Sequence, residues 1–340
     1  MRFPVLYGAW AGHFIRGEVQ QALKLVLSAL ELADTQEDSA PRLVANRLVG
    51  SSHALGGNFV EARARLEIAE QIYDPEQHRA LANRLGHEPG VAVHAYMAIV
   101  LWCLGYSDLA TTHAESADSM ARESAHVLSI CHTDLHLGMY AQFRGDAHMV
   151  RRHGESIDQL ADEYDMTQWR QLSEIFLGWA SVALGDESSI HRFQRGIESY
   201  TDAGARMFVP IFTTTFASLL LQLDRFEEAH QTISVARRTM QATGQRLVEA
   251  ELLRVEGDLY LQNSKQAKAR ACYERSIEAA RNQNAKSWEL RTTMSLAAFL
   301  GERGEKQHAH DLLDGVYGWF SEDLESQDLK KARLLLDQLA

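Results

Sequence analysis

The strongest constraint on this chain is a joint that repeats. The stretch Leu55-Gly56-Gly57-Asn58-Phe59-Val60-Glu61-Ala62 has the layout of a helix end, a tight turn and a helix start, and it returns in phase along the sequence. The turn residue falls at Gly17, Gly57, Gly105, Gly145, Gly185, Asp224, Ser264 and Gly304, so the successive steps are 40, 48, 40, 40, 39, 40 and 40 residues. Two further columns keep the register. Five residues after each turn stand Ala22, Ala62, Ala110, Val150, Ile190, Ala229, Ala269 and Ala309; seven before it stand Trp10, Gly50, Ala98, Gly138, Gly178, Ala217, Gly257 and Ala297. Small side chains on both arms let two antiparallel helices approach closely, and glycine at the joint supplies the positive φ that a tight helix end needs. The repeating unit is therefore a helix pair that packs on itself.

Small-residue columns on either side of a turn resemble the tetratricopeptide pattern, whose usual period is about 34 residues. Each arm here is roughly one turn longer. The expected fold is all-α: a right-handed α-solenoid of about eight tetratricopeptide-like helix pairs forming one domain over residues 1–340, each pair packing only on its neighbours. A capping helix is expected over 327–339, where Leu329, Ala332, Leu335, Leu336 and Leu339 alternate with charged residues behind the acidic Glu322, Asp323 and Glu325. The one long step comes from residues 74–90, where two prolines and two glycines rule out a single helix. A loop with one helical turn is expected there, and as the one irregular insertion it is a candidate for partner contact. Val91 to Leu104 is apolar almost all round and reads as a helix buried on several sides.

A formal charge of −12 argues against nucleic acid, since duplex binding relies on Lys and Arg neutralising phosphates. Cys103, Cys131 and Cys272 have neither disulfide nor zinc-ribbon spacing, which suits a reducing cytoplasm. The start, Met1 to Ala11, imitates a signal peptide but fits the phase of the first repeat, so a cytoplasmic protein is expected. The apolar run Ala95 to Leu104 is too short to span a bilayer, which needs about 20 residues.

Catalytic constellations are weak. His132 and His136 stand four apart on a predicted helix and could share a metal, but no third ligand is evident and structural histidines are the simpler reading. Gly50-Ser51-Ser52-His53-Ala54 approaches a nucleophile elbow, yet it lies inside a helix and lacks the final Gly. No metal or cofactor is expected, and no enzyme. The better candidate is the concave wall. Positions counted back from each turn place Arg47, Ser51 and Ala54 there, then Ala95, Ile99 and Trp102, then His132, Leu135 and Met139. Leu172, Ile175 and Trp179 follow, then Ile211, Thr214 and Ser218, then Glu251, Arg254 and Asp258. The residues expected to carry binding are Arg47, Trp102, His132, Met139, Trp179, Arg254 and Asp258. An apolar, aromatic middle with a charged C-terminal part suits a peptide or a hydrophobic ligand.

The runs Cys272 to Arg281 with Ala285 to Arg291, Val316 to Phe320 leading into Asp328 to Ala332, and Tyr73 to Arg79 with Glu88 to Ala92 carry a more specific likeness. All three resemble the C-terminal tetratricopeptide-like region of bacterial multidomain proteins that join a class III nucleotidyl cyclase and a signal-transduction ATPase to a helical array. The resemblance implies a regulatory part that senses or binds rather than catalyses. The present sequence has no Gly-x-x-x-x-Gly-Lys-[Ser/Thr] loop, leaving open whether it is a fragment of such a protein or a free-standing array. A protein or peptide partner in the groove is the first expectation. A small-molecule ligand inside the superhelix is the alternative, and a second copy of the chain is a further partner to consider.

Overall fold

The computed structural model describes residues 3–321 and 326–340; the acidic run Glu322, Asp323 and Glu325 lies outside them. The described residues form helices and no strands. Eight pairs follow in order: α1 (Phe3–Ile15) with α2 (Val19–Ala33), α3 (Ser39–Leu55) with α4 (Phe59–Ile72), then, after short α5 (Pro75–His78) and α6 (Ala82–Leu85), α7 (Pro89–Leu104) with α8 (Ser107–Ser124). Next come α9 (Val127–Arg144) with α10 (Ala147–Glu163), α11 (Thr167–Ala183) with α12 (Ile190–Asp202), and α13 (Val209–Gln222) with α14 (Phe226–Thr243). The last pairs are α15 (Glu249–Gln262) with α16 (Gln266–Asn282) and α17 (Lys286–Gly301) with α18 (Lys306–Tyr317), closed by the capping helix α19 (Gln327–Leu339).

All eight turn residues have positive φ, from 56° at Asp224 to 102° at Gly185. Asp224 and Ser264 hold this conformation without glycine, one strained residue being tolerated where the flanking helices fix the turn. The post-turn column, from Ala22 to Ala309, is buried throughout. On the other arm, a Cβ at Gly178 would come 2.4 Å from the backbone nitrogen of Phe193, and one at Gly196 would come 2.9 Å from that of Ile175. Helices α11 and α12 thus touch backbone to backbone.

The two members of a pair differ in burial. In α12 the buried residues Ile190, Phe193, Ile197 and Tyr200 make one stripe, as an outer amphipathic helix should. In α7 every residue is buried except His94. First members of successive pairs touch each other as well as their partners, α7 with α9, α13 with α15, α15 with α17, and so form an inner layer. Residues 74–90 differ from the expected loop. They form two short helices with a 3-10 turn over Arg79–Leu81 between them, ended by Gly86 at φ 80°.

The array also closes on itself, because the C-terminal carbonyls of the first four inner helices accept hydrogen bonds from segments four to five pairs further on. Ile15 O accepts from the Arg206 and Met207 N–H groups, and Leu55 O from those of Arg246 and Leu247. Trp102 O accepts from Ser287 Oγ, and Phe143 O from the Arg291 guanidinium. These carbonyls lie in the helix ends, where intrahelical partners run out. The seam is reinforced by Gln245, 2% exposed, which donates to Arg206 O at 3.0 Å and accepts from Phe208 N at 3.1 Å. Further along the seam, where Ser287 and Arg291 bond to α7 and α9, the Trp102 and Trp288 rings meet edge to face at 4.7 Å, with Phe143 5.3 Å from each. Each such aromatic pair adds about 0.5–1.5 kcal/mol beyond its buried area.

Candidate functional site: a groove walled by the last four pairs

Closure of the seam divides the expected concave wall in two. In the second to fourth pairs it is packed shut: Arg47, Ser51, Ala54, Ala95, Ile99, Trp102, Leu135 and Met139 are all buried. From the C-terminal end of α9 through the last four pairs to α19 it opens into a groove of about 690 Å³, within the range of sites that enclose a ligand. Trp179, Thr214, Ser218, Glu251 and Arg254 line it, as the repeat phase expects. Asp258 joins Arg254 and Ser218 on an adjoining recess. The same offsets counted back from Gly304 give Arg291, Met294 and Ala298, which also line the groove. The repeat phase thus extends the wall into the eighth pair.

Charge in the groove is held in local pairs. Arg254 donates to both oxygens of Glu251, at 2.7 and 2.9 Å, and to Asp258 Oδ2 at 2.6 Å, while Tyr273 Oη donates to Asp258 Oδ1 at 2.7 Å. Burial alone would raise both carboxyls. At Glu251 the Arg254 charge and hydrogen bonds outweigh burial and the pKa falls below the ordinary value, whereas at Asp258 burial wins and the pKa rises. Arg291 donates from Nε to Asp328 Oδ2 at 2.6 Å and lies 5.2 Å above the Trp288 ring. Lys331, exposed on α19, lines the same space with no ion pair among the described residues. Two buried groups on the wall have unmet hydrogen-bonding atoms: both amide atoms of Gln142, and Thr214 Oγ1. Sequence reasoning passed over Gln142, although it stands three residues before its turn, as Trp102 does before Gly105.

Arg47 and His132, expected on the open wall, instead meet inside the closed half. Arg47 is 1% exposed, its Nε and Nη2 lack hydrogen-bond partners, and no carboxylate among the described residues pairs with it. Its guanidinium sits 5.5 Å from the Trp10 ring centre. Nearby, the rings of His87, His132 and His136 stack in succession at 4.2 Å, with Tyr96 4.4 Å from His136. His136 Nδ1 donates to the His132 carbonyl at 2.7 Å, so the two imidazoles stack and do not converge on one point. Burial, first of all, pushes all three histidines down, His136 to about 4 and the others well below their ordinary value. The former elbow segment lies within α3, where Gly50 faces Leu66. All three cysteines are free and buried.

A family profile described as a tetratricopeptide repeat-like domain matches residues 91–298. The chain belongs to this tetratricopeptide repeat-like family. Among solved structures, the array is similar to a Rap protein complexed with Competence and Sporulation Factor, at 12% identity and a TM-score of 0.60, covering 99% of this chain and 97% of that one. It is similar to the Rap conjugation gene regulator of plasmid pLS20 in complex with the Phr* peptide, at 12% identity and a TM-score of 0.56, covering 99% and 95%. Aspartyl phosphate phosphatase F from Bacillus subtilis follows at 12% identity and a TM-score of 0.51, covering 92% of each chain. No curated protein matches the sequence. These likenesses show a shared tetratricopeptide-like fold. No helix among the described residues is long and apolar enough to cross a membrane.

Proposed function

We propose that this tetratricopeptide repeat-like chain is a non-catalytic regulatory or scaffolding array that binds a peptide segment in the groove between α9, α11, α13, α15, α17 and α19. The observation that carries the reading is the Gln142 amide, buried on the groove wall with donor and acceptor both unmet. A buried polar group without a partner costs about 1–3 kcal/mol, and a peptide backbone offers the complementary N–H and C=O pair. Thr214 Oγ1 adds a second such atom, and Lys331 suits an acidic side chain or a terminal carboxylate of the guest. The reading is supported by the fold shared with a Rap regulator whose solved complex holds the Phr* peptide. The resemblance of three runs, Cys272 to Arg291, Val316 to Ala332 and Tyr73 to Ala92, to the helical region of cyclase and ATPase proteins favours a role as the sensor or interaction part of a larger signalling protein. The test is selection of peptides from a random display library against the whole chain, followed by titration against Ser218→Trp, which fills the groove from a partly exposed position. Selected peptides should bind the variant at least about tenfold more weakly; equal affinity refutes the reading.

A second reading, a sensor for a small anion within the superhelix, is favoured by Arg47. A buried cation without a counter-charge is strongly unfavourable, and a carboxylate or phosphate ligand would satisfy it. A thermal-shift screen of small carboxylates and phosphates should raise the melting temperature of the native chain and leave Arg47→Met unmoved. Silence across the screen removes this reading.

A further inference from the structure

We propose that Glu70, His94 and His113 form a binding site for a divalent transition metal of the zinc type. The three side chains come from three helices, α4, α7 and α8, and their ligand atoms all lie within 4.8 Å of one another. His94 Nδ1 is 2.8 Å from His113 Nδ1 and 3.9 Å from Glu70 Oε1. Ligand atoms at about 2.0–2.1 Å from a tetrahedral zinc stand about 3.3–3.4 Å apart. These two separations fall about half an ångström to either side of that value and the third lies within 4.8 Å, so side-chain rotations bring the three donors onto one ion. Two imidazoles and a carboxylate are a donor set that zinc accepts, and three protein ligands leave a position for water or for a donor from a partner.

The surroundings favour a cation. Arg63 is held by Glu67 at 2.7 Å, so the carboxylate of Glu70 is left as the uncompensated charge beside the imidazoles. Burial pushes His94 down to about 4, helped by His113, and lowers His113 too. Without metal, one ring donates its Nδ1 proton to the other; with metal, that proton moves to Nε2 of the same ring and both Nδ1 lone pairs face the ion. His94 is the one residue of α7 that is not buried, so its exposure is confined to this spot. Glu70 and His94 flank residues 74–90, the single break in the repeat rhythm, and a bound ion would clamp α4 to α7 and α8 across it.

The experiment uses the full chain, untagged and stripped of metal, titrated calorimetrically with zinc chloride and separately loaded with cobalt(II). The native chain should bind one zinc and give visible cobalt d–d bands. The His94→Ala/His113→Ala double variant should lose both signals. Because that variant removes half-buried groups, Glu70→Gln is measured beside it: Glu70 is partly exposed, so the helical circular dichroism should stay native while zinc affinity falls at least about tenfold. No binding above background by the native chain, or native affinity and cobalt spectrum in both variants, overturns the proposal.

Discussion

Gly178→Ala and Gly315→Ala are the same chemical change inside two helices of this chain, and the structure gives them opposite signs. Replacing helical glycine by alanine gains about 0.5–1 kcal/mol where the new methyl meets nothing, because the unfolded chain loses freedom and the helix gains propensity. Gly315 is exposed on α18 with nothing within 4 Å of an added Cβ, so that gain should appear undiminished. At Gly178 the methyl would lie 2.4 Å from Phe193 N and 2.7 Å from Phe193 Cα. These are backbone atoms of α12 and cannot rotate aside, so the two helices must separate. Overpacking of this kind costs about 1–3 kcal/mol, which exceeds the propensity gain. Because the propensity gain is common to both, the two variants should differ by the overpacking cost, about 1–3 kcal/mol. Urea denaturation followed by far-ultraviolet circular dichroism reads this directly, as midpoints that move apart in opposite directions with little change in slope. A Gly178→Ala midpoint at or above that of Gly315→Ala would refute the close approach of α11 and α12, and with it the packing rule that defines the repeat.

Two further outcomes follow from the seam and the buried histidines. Gln245→Ala strips partners from the Arg206 carbonyl and the Phe208 N–H in a buried place, so thermal unfolding should show a loss of about 1–3 kcal/mol; a neutral effect would mean that the seam does not depend on this bridge. His136, held at about 4 by burial against about 6.5 when unfolded, takes up its proton only in the unfolded chain between those values. Stability should then fall as pH drops from about 6.5 toward 4, by up to about 3 kcal/mol from this residue alone. Urea midpoints at several pH values check it, and His136→Gln should flatten the slope.

Much of this architecture is legible in the residues. The eight turns were readable because each needs a residue at positive φ at a fixed interval, and even Asp224 and Ser264 obey. The all-round burial of α7 followed from its unbroken apolar run. The closing of the seam did not follow, because periodicity reports which face of a helix is covered and is silent on what covers it. Met139 and Ser218 each stand six residues before their turns, and Arg47 and Arg254 ten, yet the first of each pair is sealed by packing and the second faces the groove. Arg47 shows the same ambiguity in its sharpest form, since a lone arginine on a recurring face normally signals an open wall. Glu70, His94 and His113 share no motif spacing at all; only the juxtaposition of three helices across an interrupted repeat brings them together.

The seam sets a counting rule for the polypeptide. As an α-helix joins each amide to the carbonyl four residues back, this array joins the ends of its first two inner helices to the link between the fourth and fifth pairs beyond each, and then carries the ends of α7 and α9 together onto α17. Excising the fifth pair, α11 with α12, which all four of these contacts span, would displace every donor by one pair and leave four helix ends facing strangers. Length, commonly a free variable in open stacks that grow or shrink by whole modules, is here locked by the chain's own return upon itself.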